Sequence, residues 1–446
     1  MKLPRYPKYK DSGVKWLGQV PEHWEVRRLK RVLAEPLMYG ANESADDDTP
    51  GNPRYVRITD IDSSGELRED TFKSLPKNIA KQYLLQGGDI LLARSGATVG
   101  KSFMYLDSWG ECCFAGYLIR ARLKKQSALP AFVYSYFQSS IYWEFISSEQ
   151  IQATIQNVSA ERYATLPICF PPFSEQLKME QFLADQVGKI NALIREQQNL
   201  IELLQEKRQA IISQAVTKGL NPNAAMKSSG VKWVGEVPAH WDVFRLASLY
   251  REIIEAGNDE LPILSVSIHD GVSDRQLAED EMERKVNRSE DVAKYKRVLP
   301  GDLVYNMMRA WQGGFGTVTV PGQISPAYVV ARPKGDFSSR FIELLLRTPQ
   351  AIEEIRCHSY GVTDFRLRLY WDNFKIIRVV LPPKNEQEEI LARIEKMNQK
   401  FDQLIDASKS SIVRLQERRS ALITAAVTGQ IDVRNYRPEE AAAVCQ

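Results

Sequence analysis

Residues 12–29 read SGVKWLGQVPEHWEVRRL, and residues 229–246 read SGVKWVGEVPAHWDVFRL, identical at thirteen of eighteen positions with a constant offset of 217. A second echo follows. LQEKRQAIISQAVT at 204–217 returns as LQERRSALITAAVT at 415–428, with nine identities in fourteen and an offset of 211. A chain written this way is two copies of one unit of about 210–220 residues. Each copy is long enough to hold its own core, so the repeat predicts a pseudo-two-fold tandem rather than a solenoid. Such an object suits a target that itself has two halves.

Both copies run in the same order: a Trp-rich opening, a globular α/β stretch, a Pro-Pro step and a long helix. Runs rich in aliphatic and β-branched residues predict strands at Tyr55–Ile58, Asp89–Ala93 and Tyr117–Leu123, and at Ile263–Ile268, Asp302–Asn306 and Tyr328–Arg332. Gly88-Asp89-Ile90 aligns with Gly301-Asp302-Leu303, and Tyr117 with Tyr328. Helical patterns with aromatic faces follow at 130–147 and 338–357. The predicted fold is α/β (α+β), with globular domains at 1–170 and 219–381, long helices at 171–218 and 382–431, and a tail at 432–446. Between the shared anchors the copies diverge, as one scaffold carrying two different reading surfaces would.

The helices give the clearest physical signal. After Pro171-Pro172, Ser174 is placed as a cap with Glu175 in the first turn; after Pro382-Pro383, Asn385 is placed likewise, with Glu386 and Glu388 following. An unbroken 4-3-4-3 spacing joins Leu183, Val187, Ile190, Ile194, Gln197, Ile201, Leu204, Arg208, Ile211 and Ala215. Adding 211 yields Ile394, Asn398, Phe401, Ile405, Ser408, Ile412, Leu415, Arg419, Leu422 and Ala426. These are heptad seams with polar interruptions at matching places, Gln197/Ser408 and Arg208/Arg419. Gly219 and Gly429 stop the helices. Each helix is about 44 residues, or ~65 Å, long. Two such seams in one chain pair most simply with each other, antiparallel, as a coiled coil that spaces the globular domains.

Composition narrows the function classes. No window reaches ~18 apolar residues, so no membrane span is expected, and the opening MKLPRYPKYKDSGVKW lacks the apolar stretch of a secretory signal. The five cysteines, Cys112, Cys113, Cys169, Cys357 and Cys445, form no CxxC pair, which suits a reducing cytosol and speaks against a disulfide frame or zinc site. Net charge is only +3, yet residues 1–31 carry nine Lys/Arg against three Asp/Glu. Arg27, Arg28, Lys30 and Arg31 form either a phosphate-facing cluster or a solvated basic surface.

Three near-miss motifs bear on catalysis. In Gly96-Ala97-Thr98-Val99-Gly100-Lys101-Ser102 three residues separate the glycines, one short of a phosphate-binding P-loop, so the segment is read either as a Gly-flanked basic loop approaching DNA or as a plain hairpin connection. Phe170-Pro171-Pro172-Phe173 echoes the [DN]-P-P-[YF] loop of adenine methyltransferases, but Phe170 has no oxygen to accept the target amine, and Leu381 in the other copy has none either. Asp270 with Glu283-Arg284-Lys285 has the outline of a metal-dependent nuclease core, yet the first copy has no counterpart, and solvated charge is the better reading. His23 and His240 are read as hydrogen-bonded turn histidines, and Trp16, Trp24, Trp233 and Trp241 as packing anchors. No catalytic residue and no metal ligand is assigned.

The W-[LV]-G-x-V-P-x-H-W opening, the G-D-[IL] strand start, the P-P-x-x-E-Q helix start and the LQE[KR]R…AVTG ending together resemble the specificity subunit of type I restriction–modification systems, over nearly the whole chain and twice. The resemblance implies two target-recognition domains, each reading one half of a bipartite, asymmetric site in double-stranded DNA. It implies two antiparallel helices that set the gap and dock two methyltransferase subunits. S-adenosylmethionine, ATP and Mg²⁺ would then belong to those subunits and to restriction (motor) subunits, in the cytoplasm of a bacterial or archaeal cell, with no membrane partner. Candidate base readers are Arg94, Ser95, Thr98 and Lys101 in copy one, and Asn306, Arg309, Gln312, Arg366 and Arg368 in copy two. Tyr117 and Tyr328 are either DNA contacts or sheet core. The alternatives are a stand-alone nuclease or ATPase, or a coiled-coil scaffold without a DNA role.

Overall fold

The structure, a computed structural model, describes residues 4–62, 65–151, 157–258, 260–267, 271–273, 295–361 and 367–437. The chain divides into two compact units, one of residues 1–198 and 409–446, the other of residues 199–408. Each unit therefore takes the start of one long helix and the end of the other. The first long helix is Phe173–Lys218 and the second Lys384–Val427.

The first unit is built on a four-stranded antiparallel sheet in the order Met38–Tyr39, Leu118–Ala121, Ile90–Ala93, Ser102–Met104. Period-two alternation explains the unbroken Ile90-Leu91-Leu92-Ala93 run, because both faces are covered. Ile90 and Leu92 join the main core with the helix Pro130–Phe137, while Leu91 and Ala93 join a second core with Phe103 and Phe114. The second unit repeats the plan in the order Tyr250–Ile253, Tyr328–Pro333, Leu303–Asn306, Phe315–Thr317. There Leu303 and Tyr305 face the core shared with the helix Ser339–Leu346, and Val304 faces the other way. Each helical pattern expected after the sheet is in fact two helices. Thr348 caps the helix Pro349–Cys357, and Ser139 bonds the backbone of Tyr136 and Tyr142 at the matching break.

The long helices begin one residue before the expected caps, so Ser174 and Asn385 lie inside the first turn. Instead, the carbonyls of Pro172 and Pro383 accept the first helical amides, those of Glu175 and Gln176 and of Glu386 and Gln387. A residue with φ already fixed near the helical value leads straight into the helix. All twenty seam positions are buried or half-buried. Within the first unit Met179, Phe182 and Leu183 share a core with Ile423, Ala426 and Val427, and Arg419 donates to Asn191 at 2.9 Å. Within the second, Ile212, Ala215 and Val216 share a core with Ile390 and Ile394, and Arg208 reaches Asp402. Later residues of one helix thus meet earlier residues of the other in both units, which is antiparallel packing. With the 211 offset, Asn191 corresponds to Asp402 and Arg208 to Arg419, so the two polar contacts are one contact made twice.

Candidate nucleic-acid interface

The shared motifs build a frame around the base of each long helix. In the first unit Glu175 is almost fully buried and accepts from Trp24 Nε1 at 3.3 Å, lies 2.9 Å from His23 Nε2 through its other oxygen, and takes the Tyr6 hydroxyl as well. Burial, and then Glu175 itself, push the Tyr6 phenol well above its ordinary pKa, so it stays a donor. In the second unit Glu386 accepts from Trp241 Nε1 at 3.2 Å and lies 2.6 Å from His240 Nε2. The next residue is equally fixed. Gln176 accepts from Leu129 N at 2.9 Å and donates to Pro171 O at 3.0 Å, and Gln387 accepts from Ser338 N at 2.9 Å and donates to Pro382 O at 2.8 Å. Asp89 holds Arg122 through two bonds of 2.8 and 2.6 Å, and Asp302 holds Arg332 through two of 3.0 Å. Trp24 and Trp241, with the His, Glu, Gln and Asp residues just named, are scaffold, held by bonds within their own unit.

On this frame each unit carries one hairpin between the same two sheet strands, residues 94–101 in the first and 307–314 in the second. The first is held by its own unit. Gly100 O accepts from the Tyr142 hydroxyl at 2.6 Å, and a Cβ at Gly100 would meet the Trp143 ring at 2.9 Å. The amides of Val99, Gly100 and Lys101 donate to Gly96, Ala93 and Thr98. A phosphate cradle needs such amides free, and these three are already spent on the loop itself. A rigid platform presenting a short loop is what recognition uses.

Seven of the nine candidate readers fall on these two hairpins or at the strand end that enters them. Lys101 and Gln312 are exposed, and Ser95, Thr98 and Arg309 are half-buried. Arg94 is partly tied down: its guanidinium lies over the Tyr39 ring at 4.9 Å. Asn306 spends an acceptor on its own turn, taking Met308 N at 2.9 Å. Arg368 is exposed on a neighbouring segment, where its backbone exchanges two 3.0 Å bonds with Tyr360. Arg366 lies outside the described residues, as do Asp270 and Glu283 to Lys285. The alignment of Tyr117 with Tyr328 is off by one. Ala93 pairs with Leu118 and Asn306 with Tyr328, so Tyr117 corresponds to Ala327. A one-residue slip moves a side chain to the other sheet face; accordingly Tyr117 is exposed while Tyr328 packs half-buried on a core.

A second basic feature adjoins the first hairpin. Arg27, Arg28, Lys30 and Arg31 line a surface cavity of ≈ 560 Å³, and Glu25 neutralises Arg27. Leu29 N donates to Leu166 O at the far end of the helix Ala160–Thr165, while Val158 N donates to Arg94 O at its near end. The segment that carries the cations is therefore tied, through one short helix, to the first residue of the hairpin. The second unit keeps the same bonds, Leu246 N to Ile377 O and Leu369 N to Met307 O, and keeps Arg245 where the first has Arg28. There Arg245 lies directly across from Arg378. Like charges facing across strands are destabilising by themselves and fit an anionic partner.

Among the described residues no helix is long and apolar enough to cross a membrane, and no group of His, Cys, Asp and Glu is arranged to hold a metal. Residues 21–203 match the family described as the type I restriction modification DNA specificity domain. The type I restriction enzyme MjaVIII specificity subunit of Methanocaldococcus jannaschii is 22% identical over 96% of this chain and 98% of its own length. The EcoKI specificity subunit of Escherichia coli is 23% identical over 93% of this chain and 90% of its own. A chain solved in a study of complex assembly and conformational transition of the type I R-M system shares the fold, with a TM-score of 0.62 at 15% identity, over 92% of this chain and 98% of that one. By its motifs, its repeat and these likenesses along its whole length, the chain is similar to the DNA specificity subunits of type I restriction–modification systems.

Proposed function

We propose that this chain is the DNA-reading subunit of a type I restriction–modification complex, each unit reading one half of a bipartite, asymmetric site in double-stranded DNA. One observation carries the reading: the same rigid frame occurs twice and presents the same hairpin twice, with different side chains on it. Arg94, Ser95, Thr98 and Lys101 face one half-site, and Asn306, Arg309, Gln312, Arg366 and Arg368 the other. Arg suits guanine, and Asn or Gln suits adenine, in the major groove. Arg28, Lys30 and Arg31, with Arg245 and Arg378, hold backbone phosphates and fix register without reading sequence. Residues 1–170 and 219–381 are the readers, and 171–218 with 382–431 are the spacer whose outer faces dock two methyltransferase subunits. The chain itself is not catalytic. Methyl transfer with S-adenosylmethionine, and ATP- and Mg²⁺-dependent restriction, belong to partner subunits in the cytoplasm.

The test is an exchange of residues 222–381 for the corresponding segment of a relative, followed by methylome sequencing of the host. One half of the methylated motif should change and the other half and the gap should stay. A change in both halves together would sink the two-reader model.

A further inference from the structure

The two most exposed aromatic side chains among the described residues are Tyr117, at 65%, and Tyr360, at 66%. A single exposed apolar group is ordinary on a protein surface. The location of these two is not. Tyr117 lies directly across from the first residue of the first hairpin, and its carbonyl accepts from Arg94 N at 3.1 Å. Tyr360 is bonded through its backbone to Arg368, and the next residue, Leu369, donates to Met307 O at 2.9 Å, at the first residue of the second hairpin. Each unit thus places one solvent-facing phenol beside its hairpin. The two come from different elements: Tyr117 from the turn that enters a sheet strand, Tyr360 from the segment that follows the helix Pro349–Cys357. The position matching Tyr117 in the second unit is Ala327. The shared frame therefore does not dictate either ring.

We propose that Tyr117 and Tyr360 are specificity-determining residues, each contacting base edges of the half-site that its own unit reads. This rests on the reading of the two hairpins as the base readers. A phenol joins a flat apolar face, suited to a thymine methyl, to a hydroxyl that can donate to or accept from a base edge, and it loses little conformational freedom on binding. Two rigid rings beside two polar hairpins supply the apolar contact that Lys101 and Gln312 cannot.

The test uses the full chain with its methyltransferase partner and measures affinity at one stated salt concentration. The probes are the cognate duplex, duplexes altered in one half-site at a time, and a random duplex. Tyr117→Ala should weaken binding to the cognate duplex about 5- to 150-fold, the range of one base contact. It should leave binding to random DNA unchanged and erase discrimination at one half-site only. Tyr360→Ala should do the same at the other half-site. Because both rings face solvent, melting temperatures should not move. Three results overturn the proposal: no change on cognate DNA, an equal loss on cognate and random DNA, or weakened association with the partner at unaltered base preference. If the unaltered chain shows no bipartite preference at all, the underlying reading fails, and this failure is distinct from variants that behave like the parent.

Discussion

At the residue scale Glu175 and Glu386 show what the repeated motif is for. Each sits one helical turn above a Pro-Pro step and takes a tryptophan N–H and a histidine from about 150 residues earlier in the chain. Removing a carboxylate leaves the indole donor buried and unpaired and breaks a charge-assisted bond. Glu175→Ala should cost about 2–4 kcal/mol in denaturant unfolding. Glu386→Ala should cost less, about 1–2 kcal/mol, because its side chain is 25% exposed against 5% for Glu175. Equal costs would show that burial does not set the difference. The sequence made these residues visible as a repeated Glu after Pro-Pro, and the helix dipole explained an acid there. It did not reveal their partners, because a bond spanning that separation leaves no periodicity to read. The same limit produced the slip at Tyr117: identity in a short divergent strand cannot fix register, whereas pairing with Ile90–Ala93 does. Gln176 and Gln387, which tie the helix base to Leu129 and Ser338, were missed as structural residues, although their recurrence after Glu was a usable signal.

At the element scale the long helices were legible almost completely, since a 4-3-4-3 spacing over four turns and more leaves little else for the chain to do. The hairpins were only half legible. The Gly-flanked loop of copy one drew attention through its likeness to a P-loop, while its counterpart in copy two has no such signature and was found from its Asn, Arg and Gln. The helix ends test how alike the copies are. Gly219 and Gly429 both have φ near +72°, at +73° and +72°. Each closes its helix against the tryptophan of the opposite copy, Trp241 for Gly219 and Trp24 for Gly429. A Cβ at Gly219 would lie 3.4 Å from the Trp241 ring and 3.3 Å from Glu386, tolerable contacts, whereas one at Gly429 would lie 2.4 Å from the Pro21 ring. Gly219→Ala should therefore cost about 1–2 kcal/mol of backbone strain. Gly429→Ala should add about 1–3 kcal/mol of overpacking against a ring that cannot rotate away. Equilibrium unfolding of the two variants decides it, and a Gly219→Ala cost equal to or above that of Gly429→Ala would contradict the packing.

At the scale of the whole molecule, each compact unit is completed by chain from the other copy, and residues 429–437 show how firmly. Residues 432–437, read from sequence as the start of a tail, are instead part of the first unit. Val433 is fully buried in its main core, Asp432 N donates to Pro4 O at 2.8 Å, Tyr9 donates to Gly429 O at 3.0 Å, and Tyr436 stands edge-on to Phe182 at 4.9 Å while its hydroxyl bonds Asp185. Arg434 lies over the Tyr6 ring at 5.0 Å, so the segment also covers the residue that donates to Glu175. Ending the chain after Gln430 removes one fully buried valine and a half-buried tyrosine, about 2–5 kcal/mol of apolar burial. The loss should appear in the first unit, as faster amide exchange along Phe173 to Ile190, while exchange in 226–381 stays as it was. The segment should also be acid-sensitive. The bond from Arg434 holds the Asp432 carboxyl below the ordinary aspartate range, so its contribution is complete at neutral pH and is lost as pH falls through that depressed value. Protection of the segment should therefore hold from neutral pH down to the ordinary aspartate range and fail only below it. Protection that fails instead near pH 6, or a truncated chain whose first unit exchanges like the parent, would show that the segment lies against the unit without completing it.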